Sequence, residues 1–370
     1  MSAMEADVST LFALLARHWQ FGPGVESSAF DVSGRSAAFA LADGTLALAT
    51  TEDEESANSR WRVSIENGRA TISPRRRPVP APTIVRIDVA PIRVAPFAGR
   101  GFLAGGASGR LVAIAPDGTV QAIVDLDSGP VDAIRAASGH GVFVAAGGLV
   151  ARYDAHGPMA RAVCRYEDPL RAMAPSPDAR RVALGFDGFI AIEPTEDDGP
   201  ERLAFDLGPA QALEWSSDGC VIAVGLARGG IALIELETRR VLRLPDYPAA
   251  VGTLDWATDS RLLATSGAFR AIVWNLREGD SKPRTIETGR ATFVAVTVAR
   301  LHPHRSLLAI GYENGTIVIT RIGDRDELVV RDPSPGTIGD LHWSPDGEHL
   351  AFHTSRGSAG ILNLPTHMFK

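Results

Sequence analysis

Histidines are the residues whose type and spacing most suggest chemistry. Six of the nine fall after residue 300: His302, His304, His342, His349, His353 and His367. A zinc site needs three or four ligands that converge, with hydrogen-bond partners behind them. The segment "LHPHR" around the first two has the composition of a turn, while His342 and His353 alternate with apolar residues and are expected to face different surfaces. We therefore predict no metal ligands, with metal binding by this His-rich third as the open alternative.

Other patterns that could carry chemistry are incomplete. "GRGFLAGGASG" (Gly99 to Gly109) misses the glycine spacing of a dinucleotide-binding loop by one residue, and no helix follows it. The two lysines, Lys282 and Lys370, follow no phosphate-binding loop. The serine of "GGASGR" lacks the strand–turn–helix context of a hydrolase nucleophile. Asp197 and Asp198 lie in an acidic segment and are expected to be solvated. The sequence predicts no catalytic residue and no cofactor.

Charge and cysteine content exclude several classes of protein. The net charge is −7, which argues against bulk attraction to nucleic acid or to an anionic membrane. The run Arg75 to Arg77 lacks interleaved aromatic residues, so we interpret it as a solvated or partner-docking loop. Cys164 and Cys220 imply no disulfide framework. The start "MSAMEADVSTLFALLARHWQ" has acidic residues where an export signal has basic ones. We therefore expect a cytoplasmic protein.

A turn–strand–turn frame recurs along the chain. Two anchor residues, mostly glycines, stand ten apart in "GRSAAFALADG", "GCVIAVGLARG", "RSLLAIGYENG" and "GEHLAFHTSRG", and related segments fill the intervals. The first anchors are residues 34, 99, 139, 179, 219, 260, 305 and 347, so every interval after the first is 40 to 45 residues. Short strands at this period predict an all-β fold, a β-propeller of four-stranded blades. Eight copies favour eight blades, with seven as the alternative.

An apolar strand precedes the frame in "ALEWSSDG", "TLDWATDS", "VARLHPHR" and "DLHWSPDG". In these residues the chain resembles the WD-repeat (WD40-type) family over nearly its whole length. The Trp-Asp pair of the family survives only as Trp274-Asn275 and Tyr153-Asp154, and its Gly-His pair is missing. The pattern is similar to that of divergent single-domain members found in bacteria. The resemblance implies a non-enzymatic scaffold for protein–protein interaction, and an accessory role in metal handling is one alternative.

The last copy supplies three strands, so the fourth strand of its blade must come from elsewhere. "RHWQF" (Arg17 to Phe21) precedes the first inner strand by the spacing of an outer strand, and pairing with "GILNL" would cover an exposed edge. We predict a single domain over residues 1–370. It consists of an arm or short helix (1–16) capped by Asp7 or Ser9, a closing strand (17–21) and the blades (22–364).

The long first interval contains an insertion, which we place at residues 50–82. "RWRVSI" is predicted to be the outer strand of the first blade. The acidic "EDEE" and the basic, proline-rich "PRRRPVPAP" are predicted to be surface loops. Because loop length costs little closure entropy, we expect a Gly-Ser linker in place of "SPRRRPVPAP" to leave stability nearly unchanged.

The resemblance also suggests where a partner binds. The loops between second and third strands, with the loops entering each first strand, lie on one face, which we call the narrow face and which in the family docks proteins or peptides. Arg228, Phe269, Arg270, Tyr312 and Arg356 fall in or beside these loops, and arginine and aromatic residues are enriched at interface hot spots. We predict that they bind a protein partner through an acidic segment. We also predict a monomer that binds neither nucleic acid nor membrane.

A hydrolase or lyase with a site at the central channel is the competing class of function. Converging histidine and carboxylate groups at the channel mouth would favour such an enzyme. A channel lined by small and apolar residues would favour the scaffold.

Overall fold

Short apolar runs between glycine turns give this chain a structure made almost entirely of strands. The computed structural model describes residues 11–63, 70–126, 129–137, 139–154, 160–244, 249–276 and 283–365. In this part of the chain, eight four-stranded antiparallel sheets contain all but two of the strands. The first strands of successive sheets contact one another in an unbroken cycle. The fold is therefore an all-β propeller, and the prediction of eight blades is confirmed.

The chain starts with helix α1 (Leu11–Leu15) and strand β1 (Ala16–Gln20). Blade 1 contains β2 (Val25–Phe30), β3 (Ser36–Leu41) and β4 (Thr45–Thr50), then the insertion with α2 (Ala57–Arg60), β5 (Trp61–Val63) and β6 (Ala70–Ile72), then β7 (Thr83–Arg86). Blade 2 contains β8 (Arg93–Phe97), β9 (Gly101–Gly105), β10 (Arg110–Ile114) and β11 (Val120–Asp125). Blade 3 contains β12 (Val131–Ala136), β13 (Val142–Ala146), β14 (Leu149–Tyr153) and β15 (Arg161–Arg165). Blade 4 contains β16 (Ala172–Pro175), β17 (Arg181–Gly185), β18 (Ile190–Pro194) and β19 (Leu203–Phe205).

The second half of the ring repeats the same order. Blade 5 contains β20 (Ala210–Trp215), β21 (Val221–Leu226), β22 (Ile231–Glu235) and β23 (Arg240–Leu244). Blade 6 contains β24 (Leu254–Trp256), β25 (Leu262–Thr265), β26 (Ala271–Asn275) and β27 (Arg284–Thr288). Blade 7 contains β28 (Val296–Leu301), β29 (Leu307–Tyr312), β30 (Ile317–Arg321) and β31 (Glu327–Arg331). Blade 8 contains β32 (Ile338–Trp343), β33 (His349–Thr354) and β34 (Ser358–Asn363).

Strand β1 completes blade 8 from the other end of the chain. It pairs antiparallel with β34, with Ala16 opposite Leu362 and Gln20 opposite Ser358. This pairing covers the ladder of backbone groups that blade 8 would otherwise expose. The predicted closure by an N-terminal strand is confirmed.

Helix α1 packs against the seam between blades 7 and 8. It contacts β31 and β34, and its Leu14 and Leu15 are buried in a core shared by both blades. The predicted caps, Asp7 and Ser9, lie outside the described residues.

The prediction for the outer strand of blade 1 is wrong. Trp61–Val63 pairs with Ala70–Ile72 in a separate hairpin, and Thr83–Arg86 pairs with β4 as the outer strand. The acidic and basic runs of the insertion also bind each other. Arg75 forms an ion pair with Asp53, and the Glu55 carboxylate accepts the backbone N–H groups of residues 76 and 77 at 2.9 to 3.2 Å.

The insertion also holds the N-terminal elements in place. The buried Arg17 of β1 donates to the carbonyl oxygens of Thr50 at 2.6 Å and Glu52 at 3.0 Å, where the insertion begins. Arg60 donates to the carbonyl oxygen of Leu14, and the Trp19 indole donates to that of Pro80 at 2.9 Å. Of these three sets of contacts, the one to Pro80 falls within "SPRRRPVPAP", and the expectation that a Gly-Ser linker could replace that stretch stays a prediction.

Buried apolar residues fill the space between adjacent blades, and three tryptophans add hydrogen bonds across it. Each ends the inner strand of its blade and donates its indole N–H to a carbonyl oxygen of the preceding inner strand. The pairs are Trp215 with Ala174 at 2.8 Å, Trp256 with Glu214 at 3.3 Å, and Trp343 with Arg300 at 3.2 Å.

Candidate functional site

The loops predicted to bind a partner lie together on the narrow face, because each joins a second strand to a third. They are residues 227–230, 266–270, 313–316 and 355–357. Arg228 and Arg356 are exposed in their loops, and the side chain of Phe269 is 60% exposed. These three residues are accessible to a partner.

Tyr312 is not accessible. It is the last residue of β29, is 3% exposed, and packs in the core between blades 6 and 7 with Val296 and Val318. Burial, followed by the charge of Glu327, raises the pKa of its hydroxyl to about 12. The prediction that Tyr312 lines the narrow face is therefore corrected: strand pairing carries its side chain into the core before the loop begins.

Arg270 is present on this face, but its charge is already paired. Its guanidinium forms an ion pair with Glu287 on the outer strand of the same blade, and its side chain is 22% exposed. Within the described ranges, the arginines of these loops that form no ion pair are thus Arg228 and Arg356, not Arg270.

A second aromatic side chain, which the repeat pattern did not indicate, stands beside Phe269. Phe293 lies in the loop leading into blade 7 and is 101% exposed. The two loops are bonded to each other, since the Thr292 N–H donates to the Phe269 carbonyl oxygen at 3.0 Å. Phe269 and Phe293 are the two most exposed large hydrophobic side chains in the described part of the chain. We call this pair the aromatic patch.

The central channel is lined by charge. The next-to-last residue of each inner strand occupies the equivalent position in every blade, and in five blades it is ionisable: Arg135, Glu214, Asp255, Arg300 and His342. Blades 1, 2 and 4 have Ala29, Pro96 and Ala174 there. We call the five ionisable residues, with the neighbouring Asp340, the channel belt.

Arg300 joins three blades within the channel belt. Its Nη2 lies 2.8 Å from Asp340 Oδ1 of blade 8, and its Nη1 lies 4.0 Å from Asp255 Oδ1 of blade 6. It also donates to the carbonyl oxygens of Leu341 at 3.1 Å and Leu254 at 3.2 Å. This geometry is that of a structural bridge.

The belt carboxylates differ in their proton affinity. Burial opposes ionisation of Asp340, but Arg300 and then His342 outweigh it and hold its pKa well below the usual range. Desolvation of the carboxylate inside the ring, followed by the negative charge of Asp255, raises the pKa of Glu214 to about 7. Burial raises the pKa of Asp255 to about 6, against the opposing charge of Arg300. Perturbed carboxylates beside His342 meet the criterion stated above for an enzyme, but Arg300 already engages two of them.

The histidines do not form one cluster. His302 and His304 bond carbonyl oxygens of the next blade's turn at 3.1 and 2.8 Å. His353 is buried and lies 2.9 Å from the Ser28 hydroxyl, and burial lowers its pKa to about 4. His342 faces the channel, and His367 lies outside the described residues. Across the described ranges, no group of three or more His, Cys, Asp or Glu side chains is arranged to hold a metal ion. Nor does that part of the chain contain a helix long and apolar enough to cross a membrane.

Comparison with known proteins agrees with the fold. Residues 299–368 match the family model of the anaphase-promoting complex subunit 4 WD40 domain. The chain is 27% identical over 197 residues to "Set1 complex component swd1" of Schizosaccharomyces pombe, an alignment covering 46% of each protein. It is 28% identical over 101 residues to "Protein RBL" of Arabidopsis thaliana, covering 26% of this chain and 18% of that one. The chain thus spans less than half the length of the relatives it matches. With eight four-stranded blades in a closed ring, the structure and these matches confirm that the chain is a β-propeller similar to WD-repeat (WD40-type) proteins.

Proposed function

We propose that the protein is a non-enzymatic scaffold that binds a protein partner through the aromatic patch. The observation that carries this proposal is the full exposure of Phe293 beside the exposed Phe269, on two loops fixed to each other by backbone hydrogen bonds. Two aromatic rings held in water by ordered loops are unfavourable unless a partner covers them, and aromatic residues are typical interface anchors.

Two further facts support the proposal. One relative, the Schizosaccharomyces pombe swd1 protein, is by name a component of the Set1 complex. Arg228 is exposed in the adjacent blade, so an apolar side chain of the partner flanked by an acidic residue would fit this region. A cytoplasmic location, a monomeric state and the absence of nucleic-acid or membrane binding are parts of the same proposal.

The channel supports an enzyme less well. Asp340 and Asp255 are engaged by Arg300, which uses their charge to join blades. Among the described residues, the Glu214 carboxylate forms neither an ion pair nor a hydrogen bond, but one carboxylate does not supply both an acid and a base. We propose that Arg300, with Asp340 and Asp255, joins the blades of the ring, and that the channel belt takes no part in catalysis.

Site-specific photo-crosslinking tests the proposal. A photoreactive phenylalanine analogue at position 269 or 293 should capture the same protein from cells, whereas the analogue at Val241, an exposed apolar residue on the outer strand of blade 5, should not. With the captured protein purified, F269A/F293A should weaken binding by at least about 2 kcal/mol, roughly 30-fold. The control V241A/L242A should bind like wild type. Equal binding by F269A/F293A and wild type would place the interface elsewhere.

A further inference from the structure

A cavity with both charged and apolar lining residues lies where blade 7 meets the closing strand, at the outer part of the narrow face. Its volume is about 560 Å³, within the range of small-ligand sites. The end of β31, strand β1 and the loop before β32 form its walls. The lining residues that matter are Phe12, His18, Arg331, Asp332, Arg356 and Ser358.

Arg331 is a buried positive charge that has no negative partner among the described residues. It is 6% exposed. Its Nη1 donates to the Gly315 carbonyl oxygen, and its Nη2 lies 3.5 Å from the Ser358 hydroxyl, so both acceptors are uncharged. Within the described part of the chain no carboxylate acts on it, and burial lowers its pKa. A guanidinium left in this state is unfavourable compared with an apolar side chain of similar length.

Two aromatic rings form the floor beneath this charge. The Arg331 guanidinium carbon lies 5.5 Å from the ring centre of Phe352 and 5.9 Å from that of Phe12. Cation–π contacts stabilise the guanidinium and keep water from one side of it. Arg331 lines the cavity, so an oxyanion that enters it would meet a planar guanidinium, which binds such groups with strong, directed hydrogen bonds.

The surroundings add to the positive potential. Arg356 is exposed at the cavity. Partial burial and then the charge of Arg331 lower the pKa of His18, so its imidazole is neutral at pH 7 and able to donate a hydrogen bond. Asp332 is the acidic member of the lining set and is exposed, so the arginines outweigh it.

We propose that this cavity binds the carboxylate or phosphate group of an acidic peptide segment, with Arg331 as the buried anchor and Arg356 at the opening. The inference deepens the proposed function, because it gives the chemistry of a second contact with a protein partner. It also moves the predicted acidic segment from Arg270, whose charge is paired, to Arg331.

Blade 3 provides a matched control. Arg331 and Arg165 are both the last residue of an outer strand and lie opposite the first residue of the third strand. Arg165, however, is exposed. Substituting each with methionine removes the same charge, once from the cavity and once from the surface.

The test titrates protein into fluorescein-labelled peptides and follows anisotropy at physiological ionic strength. One peptide is glutamate-rich, one carries phosphoserine in a neutral sequence, and one is their glutamine-rich analogue. All proteins carry E5Q/D7N, so that carboxylates near the N-terminus cannot compete. We expect one or both acidic peptides to bind and the neutral one not to bind, with R331M about 30-fold weaker and R165M unchanged. The acidic peptide that binds more tightly shows whether the cavity recognises a carboxylate or a phosphate group. Inorganic phosphate should compete with the bound peptide.

A structural role for Arg331 predicts something different. If it only supported the fold, R331M would lower the melting temperature and leave peptide binding by the folded protein unchanged. If it is a binding residue, R331M should keep or raise the melting temperature while binding is lost. Peptide binding by R331M equal to that of wild type, or equal weakening by R165M, overturns the inference. F269A/F293A should still bind the acidic peptide, so a failure of the aromatic patch and a failure of this cavity give different results.

Discussion

Replacing Arg300 with methionine tests whether the channel belt holds the blades together. Methionine keeps much of the side-chain length but removes the charge, the 2.8 Å contact with Asp340 and the hydrogen bonds to Leu341 and Leu254. Asp340 is then left ionised in the channel without its cation. We expect R300M to fold and to be less stable than wild type.

The size of the loss follows from the exposure of the pair. Breaking a fully buried ion pair costs about 3–5 kcal/mol. The Arg300 and Asp340 side chains are 20% and 26% exposed, so channel water screens part of the charge, and we expect about 2–3 kcal/mol. Unfolding entropy is about 2.1 cal/mol/K per residue, so for a 370-residue chain that unfolds cooperatively the melting temperature should fall by roughly 3–4 °C.

The assay is thermal unfolding of four proteins (wild type, R300M, R300M/D340N and R135M) between about pH 2 and pH 8. R300M/D340N should regain more than half of the lost stability, because it no longer leaves Asp340 ionised without its cation. R135M is the control: Arg135 occupies the same ring position in blade 3 but is exposed and bonds only the adjacent Ile134 carbonyl among the described residues. It should change stability by less than about 0.5 kcal/mol.

The pH dependence has a definite sign. Arg300 helps to depress the pKa of Asp340, so the stability it contributes is present above the pKa of unfolded aspartate, near 4, and is lost as pH falls through the folded value. The deficit of R300M should therefore shrink toward low pH. A deficit that grows on acidification, or an unchanged melting temperature at pH 8, would refute the bridging role.

Two other predictions concern the belt and the insertion. The pKa of Glu214 is raised to about 7, so wild-type stability should fall as pH rises from about 4.5 through 7 and the carboxylate ionises in the folded state. E214Q should therefore melt at the same temperature as wild type near pH 5 and at a higher temperature at pH 8. Identical pH profiles would show that Glu214 titrates normally. Arg60 is buried and donates to the Leu14 carbonyl oxygen, so R60M should lose about 2 kcal/mol of unfolding free energy in a urea titration. The control R77M, whose ion pair with Glu54 is exposed, should lose less than about 0.5 kcal/mol, and equal losses would mean that the insertion does not hold α1.

The repeat spacing predicted the ring and its closure, because glycine turns and apolar strands recur at a fixed period. It failed in the first interval. "WRV" has the alternation of a strand, but "TIVR" (Thr83–Arg86) is β-branched and stands just before the next inner strand, as the outer strands of other blades do. The alternation of three residues could not show that Trp61–Val63 pairs within the insertion.

The site was harder to foresee, because it depends on contacts between blades. Aligning the inner strands by charge would have revealed Glu214, Asp255 and Arg300 as one column. No local pattern indicates that Tyr312 turns inward. The burial of Arg331 is equally hidden, since it arises only where Phe12 and Phe352, 340 positions apart in sequence, meet beneath it.

The tryptophans that join neighbouring blades are also intrinsic fluorescence probes of the contacts between those blades. Indole emission shifts to longer wavelength when the indole becomes exposed to water. Each of the three tryptophans lies at a different boundary between blades: Trp215 between blades 4 and 5, Trp256 between blades 5 and 6, and Trp343 between blades 7 and 8. Trp19, bonded to Pro80, lies where the insertion meets the closing strand. A variant that retains one of these indoles as its single tryptophan would report the opening of one contact between blades. A set of such variants would therefore show the order in which the blades separate during unfolding, without an added label.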